Sequence, residues 1–96
     1  MAQTRPQAQA SVKIDNDRVI VTEWRFAPGA ETGWHRHAHD YVVLPQTNGK
    51  LRIETLDSAQ ETPLSIGVPY FRKTGVEHNV VNANDYEFVF VEVEIR

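Results

Sequence analysis

Short runs in which apolar and polar residues alternate, separated by turn residues, make up most of the chain. The clearest run is Tyr86–Ile95, in which every second residue from Val89 onward is Val or Ile. The residues between them are aromatic at the start of the run and acidic at its end. A period of two residues is typical of a β-strand. Because both faces are apolar near the middle of this run, we expect the strand to lie between two layers or at a subunit contact.

The same pattern predicts a series of shorter strands earlier in the chain. They are, in order, Val12–Ile14, Val19–Phe26, Tyr41–Leu44, Lys50–Leu56, Thr62–Ile66, Tyr70–Lys73 and His78–Val81. Asn48 and Gly49 form a dipeptide typical of two-residue hairpin turns, so we expect Lys50–Leu56 to pair with the strand before it. No segment shows the i, i+3, i+4, i+7 spacing of an amphipathic helix. Many short strands without helices predict an all-β fold, a small sandwich or barrel.

Length and composition indicate one ordinary folded domain. The chain has 96 residues, of which 41% are hydrophobic and 24% are charged, and a single core commonly occupies roughly 100–150 residues. The net charge of −3 gives no basic surface for nucleic acid or for anionic lipid. No apolar run approaches the ~20 residues of a membrane span. We therefore expect neither a nucleic acid nor a membrane as partner, and the small-molecule ligand that we expect instead is implied by the family resemblance described below.

The first residues of the chain differ from the rest. Met1–Ser11 is rich in Gln and Ala and lacks a periodic apolar pattern. We expect a flexible N-terminal arm over residues 1–11 and a folded domain over residues 12–96. The arm lacks the apolar stretch of a secretory signal, which favours a cytoplasmic location.

Histidine is the residue type that points to chemistry. The chain has four histidines and no cysteine, and His35, His37 and His39 lie close together. In an extended segment the side chains of His35 and His37 project from the same face, with about 6.6 Å between their Cα atoms. Two imidazole nitrogens at this spacing can reach one metal ion at ~2.0–2.1 Å. The alternative for this segment is an exposed, polar strand end, and His78 by itself is compatible with an ordinary sheet residue.

The spacing of glycine, histidine and asparagine residues resembles the two signature motifs of the cupin superfamily. The matching positions are Gly29, His35, His37 and Gly49 in the first motif and Gly67, Gly75, His78 and Asn82 in the second. The resemblance covers about residues 12–96 and implies a double-stranded β-helix, the cupin jelly-roll barrel. Lys73 stands where the second motif has proline. The position of the acidic metal ligand in the first motif falls on Tyr41 or Val42.

The resemblance implies a metal site of the three-histidine cupin variant. His35, His37 and His78 are the implied ligands, and His39 is implied to be a bystander. Asp40 precedes the position of the missing acidic ligand and would face away from the metal in a regular strand. Three neutral imidazoles suit one divalent transition metal ion per chain, of Fe, Zn, Ni, Cu or Co, and leave its other coordination positions open.

Longer segments of the sequence resemble one particular family within the cupin superfamily. Residues 22–29, 33–37, 40–45, 70–82 and 88–94 are similar to the small single-domain cupins of the BauB type, which are linked to β-alanine degradation. This resemblance implies a role beside a catabolic pathway, that of β-alanine.

If a barrel closes around the metal, several side chains are candidates for the wall of a substrate pocket. They are Arg25, Tyr41, Phe71 and Phe90, with Trp24 and Trp34 near the rim. The guanidinium of Arg25 would hold a substrate carboxylate, and the alternative is an exposed ion pair with Glu23 or Glu92. Tyr41 is the candidate catalytic acid or base, and the alternative is aromatic packing in the core. We expect Glu92 and Glu94 to lie on a solvated edge.

Three hypotheses for function follow from the implied site. The first is a metal-dependent enzyme, an oxygenase, hydrolase or isomerase, that acts on a small carboxylate or carbonyl metabolite. The second is a non-catalytic metabolite sensor or binding module, favoured by the lack of a recognisable acid–base pair. The third is a barrel that is stable without metal and acts through its dimer surface. The cupin resemblance and the two-sided C-terminal strand also imply a homodimer, in which the arm is a candidate for exchange.

Overall fold

In the computed structural model, which describes residues 4–96, the alternating runs form nine β-strands. They are β1 (Gln9–Asp15), β2 (Val19–Phe26), β3 (His35–Arg36), β4 (Asp40–Pro45), β5 (Gly49–Glu54), β6 (Ala59–Leu64), β7 (Tyr70–Arg72), β8 (Glu77–Asn82) and β9 (Phe88–Ile95). Residues 4–96 contain no helix, and thus none that could span a membrane.

The strands form two antiparallel sheets that pack against each other. The five-stranded sheet has the order β1-β2-β9-β4-β7, and the four-stranded sheet has the order β3-β8-β5-β6. Side chains from both sheets fill the space between them, and the most fully buried are Phe26, Val43, Leu51, Asn82 and Phe88. This arrangement confirms the predicted all-β fold class.

The strand with the clearest alternation, β9, is the middle strand of the five-stranded sheet. It lies between β2 and β4. Phe88, Phe90 and Glu92 on its inner face are buried, whereas the valines between them are half-buried. The inner face therefore forms part of the core, and the contact of the outer face with a second subunit stays a prediction.

The predicted hairpin at Asn48 and Gly49 is wrong. β5 pairs with β6 and β8, whereas β4 pairs with β7 and β9 in the other sheet. Gly49 lacks the positive φ that a type I′ hairpin turn requires. It allows a close approach instead, because a Cβ atom here would lie 2.7 Å from the hydroxyl oxygen of Tyr86. That hydroxyl donates to the Asn48 carbonyl at 2.8 Å, so the dipeptide carries the chain from one sheet to the other.

The N-terminal segment contacts the barrel before the predicted start of the first strand. β1 begins at Gln9 rather than at Val12, and Ala8 is buried in the core. Ahead of them, the guanidinium of Arg5 donates two hydrogen bonds to the Glu54 carboxylate, at 2.9 and 3.1 Å. The flexibility of the arm stays a prediction, and its residues 1–3 lie outside the part of the chain that the structure describes.

Candidate metal centre

The four-stranded sheet brings two distant histidines side by side. β3 pairs with β8 so that His35 lies directly opposite His78. His37 follows β3, and its backbone nitrogen donates to the carbonyl of Val76 at 2.9 Å. This hydrogen bond holds the segment after β3 beside the segment that enters β8. Strand pairing therefore places the three predicted ligands together.

The three imidazoles converge through their Nε2 atoms. Nε2 of His37 lies 3.1 Å from Nε2 of His35 and 3.2 Å from Nε2 of His78. Two nitrogens bound to one metal ion at ~2.0–2.1 Å would be about 2.9 Å apart at a right angle and about 3.3 Å apart in a tetrahedron. The observed separations fall between these two values. They are therefore the separations expected of ligands that share one ion.

Hydrogen bonds at the other ring nitrogen fix the orientation of His35. Nδ1 of His35 lies 2.8 Å from the carbonyl oxygen of Gly33, which can only accept, so in the neutral tautomer of this ring Nδ1 carries the proton and Nε2 carries the lone pair. The side-chain oxygen of Asn79 accepts from the backbone nitrogen of Gly33 at 2.9 Å. The φ of Gly33 is +88°, a conformation that favours glycine. The loop that presents this carbonyl therefore depends on a glycine.

His37 and His78 are held in the neutral form. Their exposed fractions are 6% and 8%. Burial first, and then the neighbouring His35, lowers the pKa of each to about 4. Both imidazoles are therefore neutral at neutral pH, which is the form that binds metals.

This arrangement fits a metal ion. Since Nε2 of His35 carries a lone pair, one proton on Nε2 of His37 could satisfy only one of its two neighbours. A cation placed among the three nitrogens satisfies all of them. Three neutral imidazoles suit Fe, Co, Ni, Cu or Zn rather than Mg or Ca. His39 lies apart from this group, and its Nδ1 is 3.5 Å from a carboxylate oxygen of Glu94.

The three histidines open onto a cavity of about 240 Å³. Its apolar wall is formed by the side chains of Val43, Leu51, Ile53, Val80 and Phe90. Three further aromatic side chains line it, those of Trp24, Tyr41 and Tyr70. Of the predicted wall residues, the structure therefore places Tyr41 and Phe90 in the cavity. The volume suits a small metabolite rather than a drug-sized ligand.

Tyr41 packs flat against one of the candidate ligands. Its ring centroid lies 3.8 Å from that of His37, with 18° between the ring planes. Only 2% of Tyr41 is exposed, and this burial raises the pKa of its hydroxyl far above the ordinary value. These contacts favour the packing role that was the alternative to a catalytic one.

Glu92 and Glu94 were predicted on a solvated edge, and this prediction is wrong. Both line the cavity, and Glu92 is 8% exposed. Their carboxylate oxygens lie within 4.8 Å of each other and of a ring nitrogen of His37. Burial, and then the negative charge of Glu94, raises the pKa of Glu92 to about 7. The alternation contained the signal, because Glu92 shares a strand face with Phe88 and Phe90.

Arg25 and Phe71, predicted to line the pocket, lie outside the cavity. The guanidinium of Arg25 forms exposed ion pairs with Glu23 and Glu87, each at 3.0 Å, which is close to the alternative given for it. Phe71 is 48% exposed. Arg25 follows Trp24 and Phe71 follows Tyr70, and both of these neighbours line the cavity. Because side chains alternate between the two faces of a strand, Arg25 and Phe71 point outward.

The fold has clear structural relatives. No family model matches the chain. The structure superimposes on a cupin domain from Bordetella pertussis Tohama I with a TM-score of 0.96, at 58% sequence identity and over 99% of each chain. A double-stranded β-helix protein from Klebsiella pneumoniae has a TM-score of 0.77 at 23% identity, over 98% of this chain and 81% of the other. The fold is therefore that of a cupin, a double-stranded β-helix, as predicted.

Sequence similarity identifies one family within the cupins. The chain is 63% identical over 92 residues to the beta-alanine degradation protein BauB from Pseudomonas aeruginosa, and the match covers 96% of this chain and 97% of that protein. The chain belongs to the BauB family of cupins, which confirms the resemblance found in its motifs.

Proposed function

We propose that this chain is a metal-dependent cupin that acts on a small carboxylate or carbonyl metabolite of β-alanine catabolism. The observation that carries the proposal is the convergence of the Nε2 atoms of His35, His37 and His78 at the wall of one cavity. These imidazoles would hold one divalent transition metal ion, of Fe, Co, Ni, Cu or Zn, with its remaining coordination positions open to the cavity.

The residues around the three histidines would orient the metal ligands and surround the substrate. When bound, the metal would supply Lewis-acid chemistry by polarising a carboxylate or carbonyl oxygen of the substrate. The Gly33 carbonyl orients His35, and the ring of Tyr41 fixes the plane of His37. The apolar part of the wall, which includes Val43 and Val80, would give the bound substrate surroundings less polar than bulk water, in which electrostatic interactions are stronger.

The relative supports the metabolic context. The protein from Pseudomonas aeruginosa is named for β-alanine degradation and is 63% identical to this chain. Intermediates of such a route are short acids that carry an amine, an aldehyde or a second carboxylate. Molecules of this size match a cavity of about 240 Å³.

Turnover by metal-loaded protein tests the proposal. Protein freed of metal with a chelator is loaded with one equivalent of Fe(II), Co, Ni, Cu or Zn. Each preparation is incubated with β-alanine, three-carbon semialdehydes and malonyl-type acids, in air and under nitrogen, and products are followed by mass spectrometry. We expect one metal to give a product, and the chelated protein and His37→Ala to give none. Glu61→Gln, at an exposed position of β6 outside the cavity, is the control and keeps turnover.

Two results would contradict an enzymatic role. If no metal supports turnover while calorimetry shows tight binding of one of these acids, the chain is a metabolite-binding module. If turnover is the same before and after chelation, the three histidines are not a catalytic metal centre.

A further inference from the structure

Glu92 is a buried carboxyl group that forms no hydrogen bond or ion pair with any other residue of the described range 4–96. Its side chain lies on the cavity wall with 8% of the residue exposed. Burial, and then the charge of Glu94, raises the pKa of Glu92, and no cation or hydrogen-bond donor among residues 4–96 offsets this increase. A buried carboxylate without a cation or donors is costly. No contact within the described residues therefore stabilises an ionised carboxylate at this position.

Glu94 places a second carboxylate beside the first. The two residues are neighbours on one face of β9, and their oxygens lie within 4.8 Å of each other. Nδ1 of His39 lies 3.5 Å from a carboxylate oxygen of Glu94. Two carboxylates this close repel each other, and a cationic group between them would remove the repulsion.

Three aromatic side chains line the same cavity as the two carboxylates. Trp24 and Phe90 lie opposite each other on β2 and β9, and Phe90 shares the inner face of β9 with Glu92. Tyr70 pairs with Val43, which in turn pairs with Glu92. All three rings line the cavity, and the ring of Tyr70 already carries a cation, the guanidinium of Arg72, at 4.6 Å from its centroid. Since the face of an aromatic ring attracts an ammonium group, carboxylates and rings together favour an organic cation.

In the part of the chain that the structure describes, the acidic pair lacks the ligands for a second transition metal. His37 is the imidazole within reach of both carboxylates, and its Nε2 faces His35 and His78. A neutral imidazole has a single lone pair, so His37 cannot serve the three-histidine centre and a second ion together. Two carboxylates alone are too few for a transition-metal site but suffice for the three N–H donors of an ammonium group.

We propose that Glu92 and Glu94 bind the protonated amino group of the ligand, so that the site takes a short amino acid with its amine at the acidic pair and its carboxylate at the three-histidine centre. This inference rests on the proposed function, because that function supplies the carboxylate end of the site. His37 borders both groups, so the two ends of the ligand are separated by a short carbon chain. The expected class is an amino acid whose amine is at the far end from its carboxylate.

Calorimetry with three matched probes tests the inference. The probes are β-alanine, propionate, which lacks the amine, and n-propylamine, which lacks the carboxylate. Each is titrated into chelated protein and into protein loaded with one equivalent of Zn²⁺, for wild type, Glu92→Gln and the control Glu61→Gln. Glu61 is an exposed residue of β6 that pairs with Lys50 at 3.3 Å. Zinc content and circular dichroism are recorded for every variant.

The inference predicts a preference that depends on Glu92. Wild type binds β-alanine more tightly than propionate, and Glu92→Gln weakens β-alanine binding on the order of 10–100-fold, the effect of losing a charged hydrogen-bond partner. Binding of propionate and zinc content are unchanged in Glu92→Gln, and Glu61→Gln behaves as wild type.

Other outcomes separate the two proposals. If zinc binds but β-alanine and propionate bind equally, or if Glu92→Gln leaves β-alanine binding unchanged, the amine site is refuted and the metal centre stands. If zinc does not bind but n-propylamine still depends on Glu92, the amine site stands and the metal centre is refuted. If the wild type binds neither β-alanine nor n-propylamine, the amine site is refuted.

Discussion

Replacing Asn82 with alanine removes an amide that joins separate segments of the barrel. Its Nδ2 donates to the carbonyls of Phe26, Ala27 and Tyr86 at 3.1, 3.2 and 2.8 Å. Its Oδ1 accepts from the backbone and side-chain nitrogens of Asn84 at 2.9 and 2.8 Å. Only 2% of Asn82 is exposed, so water cannot reach these groups once the amide is lost.

The expected loss of stability follows from these contacts. A hydrogen bond contributes about 1 kcal/mol net, and a buried polar group left without a partner costs about 1–3 kcal/mol. Because part of the network can relax onto Asn84, we expect Asn82→Ala to lower the free energy of unfolding by about 3–5 kcal/mol. For a domain of this size, 1 kcal/mol shifts Tm by roughly 5 °C. The expected fall in Tm is therefore roughly 15–25 °C.

Urea unfolding followed by the fluorescence of Trp24 and Trp34 measures this change. The matched control is Asn16→Ala, because the side-chain oxygen of Asn16 accepts from the backbone nitrogens of Arg18 and Val19 at 2.8 and 2.9 Å in an exposed turn. We expect the control to lose about 1 kcal/mol. A loss below about 1 kcal/mol for Asn82→Ala, or equal losses for the two variants, would refute the reasoning.

Two further changes test other parts of the fold. Gly49→Ala is expected to lower the free energy of unfolding by about 2 kcal/mol, because its Cβ would lie 2.7 Å from the Tyr86 hydroxyl. The control Gly67→Ala, which has open space and a φ of +82°, is expected to lower it by about 1 kcal/mol. Urea unfolding measures both values, and equal losses would contradict the close approach at Gly49. Hydrogen bonds from Arg5, and then from Arg52, lower the pKa of Glu54 from 4.5 to about 2. The ionised carboxylate therefore stabilises the fold fully above pH 4.5, the ordinary pKa, and this stabilisation is lost as the pH falls through about 2. Urea unfolding at pH 5 and pH 3 is expected to show a smaller fall in stability for Glu54→Gln than for wild type, and identical pH profiles would show that the arm does not dock through this pair.

The strands could be predicted from the sequence because alternation is a local property. Tyr86–Ile95 and Val19–Phe26 correspond closely to β9 and β2. The partners of the strands could not be read in the same way. Asn48 and Gly49 are locally suited to a hairpin, yet the two flanking strands pair in different sheets. Gly49 lies close to Tyr86, a residue far along the chain, because a Cβ atom here would be 2.7 Å from the Tyr86 hydroxyl oxygen. Such contacts are set by the whole barrel rather than by the dipeptide.

The sequence predicted the three histidines that meet in the candidate site but not the residues of the cavity wall that depend on the direction of each side chain. His35, His37 and His78 were found because imidazole chemistry and motif spacing both single them out. Glu92 was missed because acidic residues near a chain end usually face solvent, although its position on the face of Phe90 indicated the core. Arg25 was proposed on its chemistry, and the pleat turns it outward beside the inward-facing Trp24.

Metal stoichiometry tests the central claim, that three imidazoles form one metal centre. Protein is freed of metal, loaded with Co²⁺, passed through a desalting column and analysed by inductively coupled plasma mass spectrometry together with its visible absorption spectrum. The account predicts one ion per chain in wild type and in His39→Ala, and loss of both ion and spectrum in His37→Ala and His78→Ala while circular dichroism shows a folded barrel. A folded His78→Ala variant that keeps one ion per chain with an unchanged spectrum would contradict it.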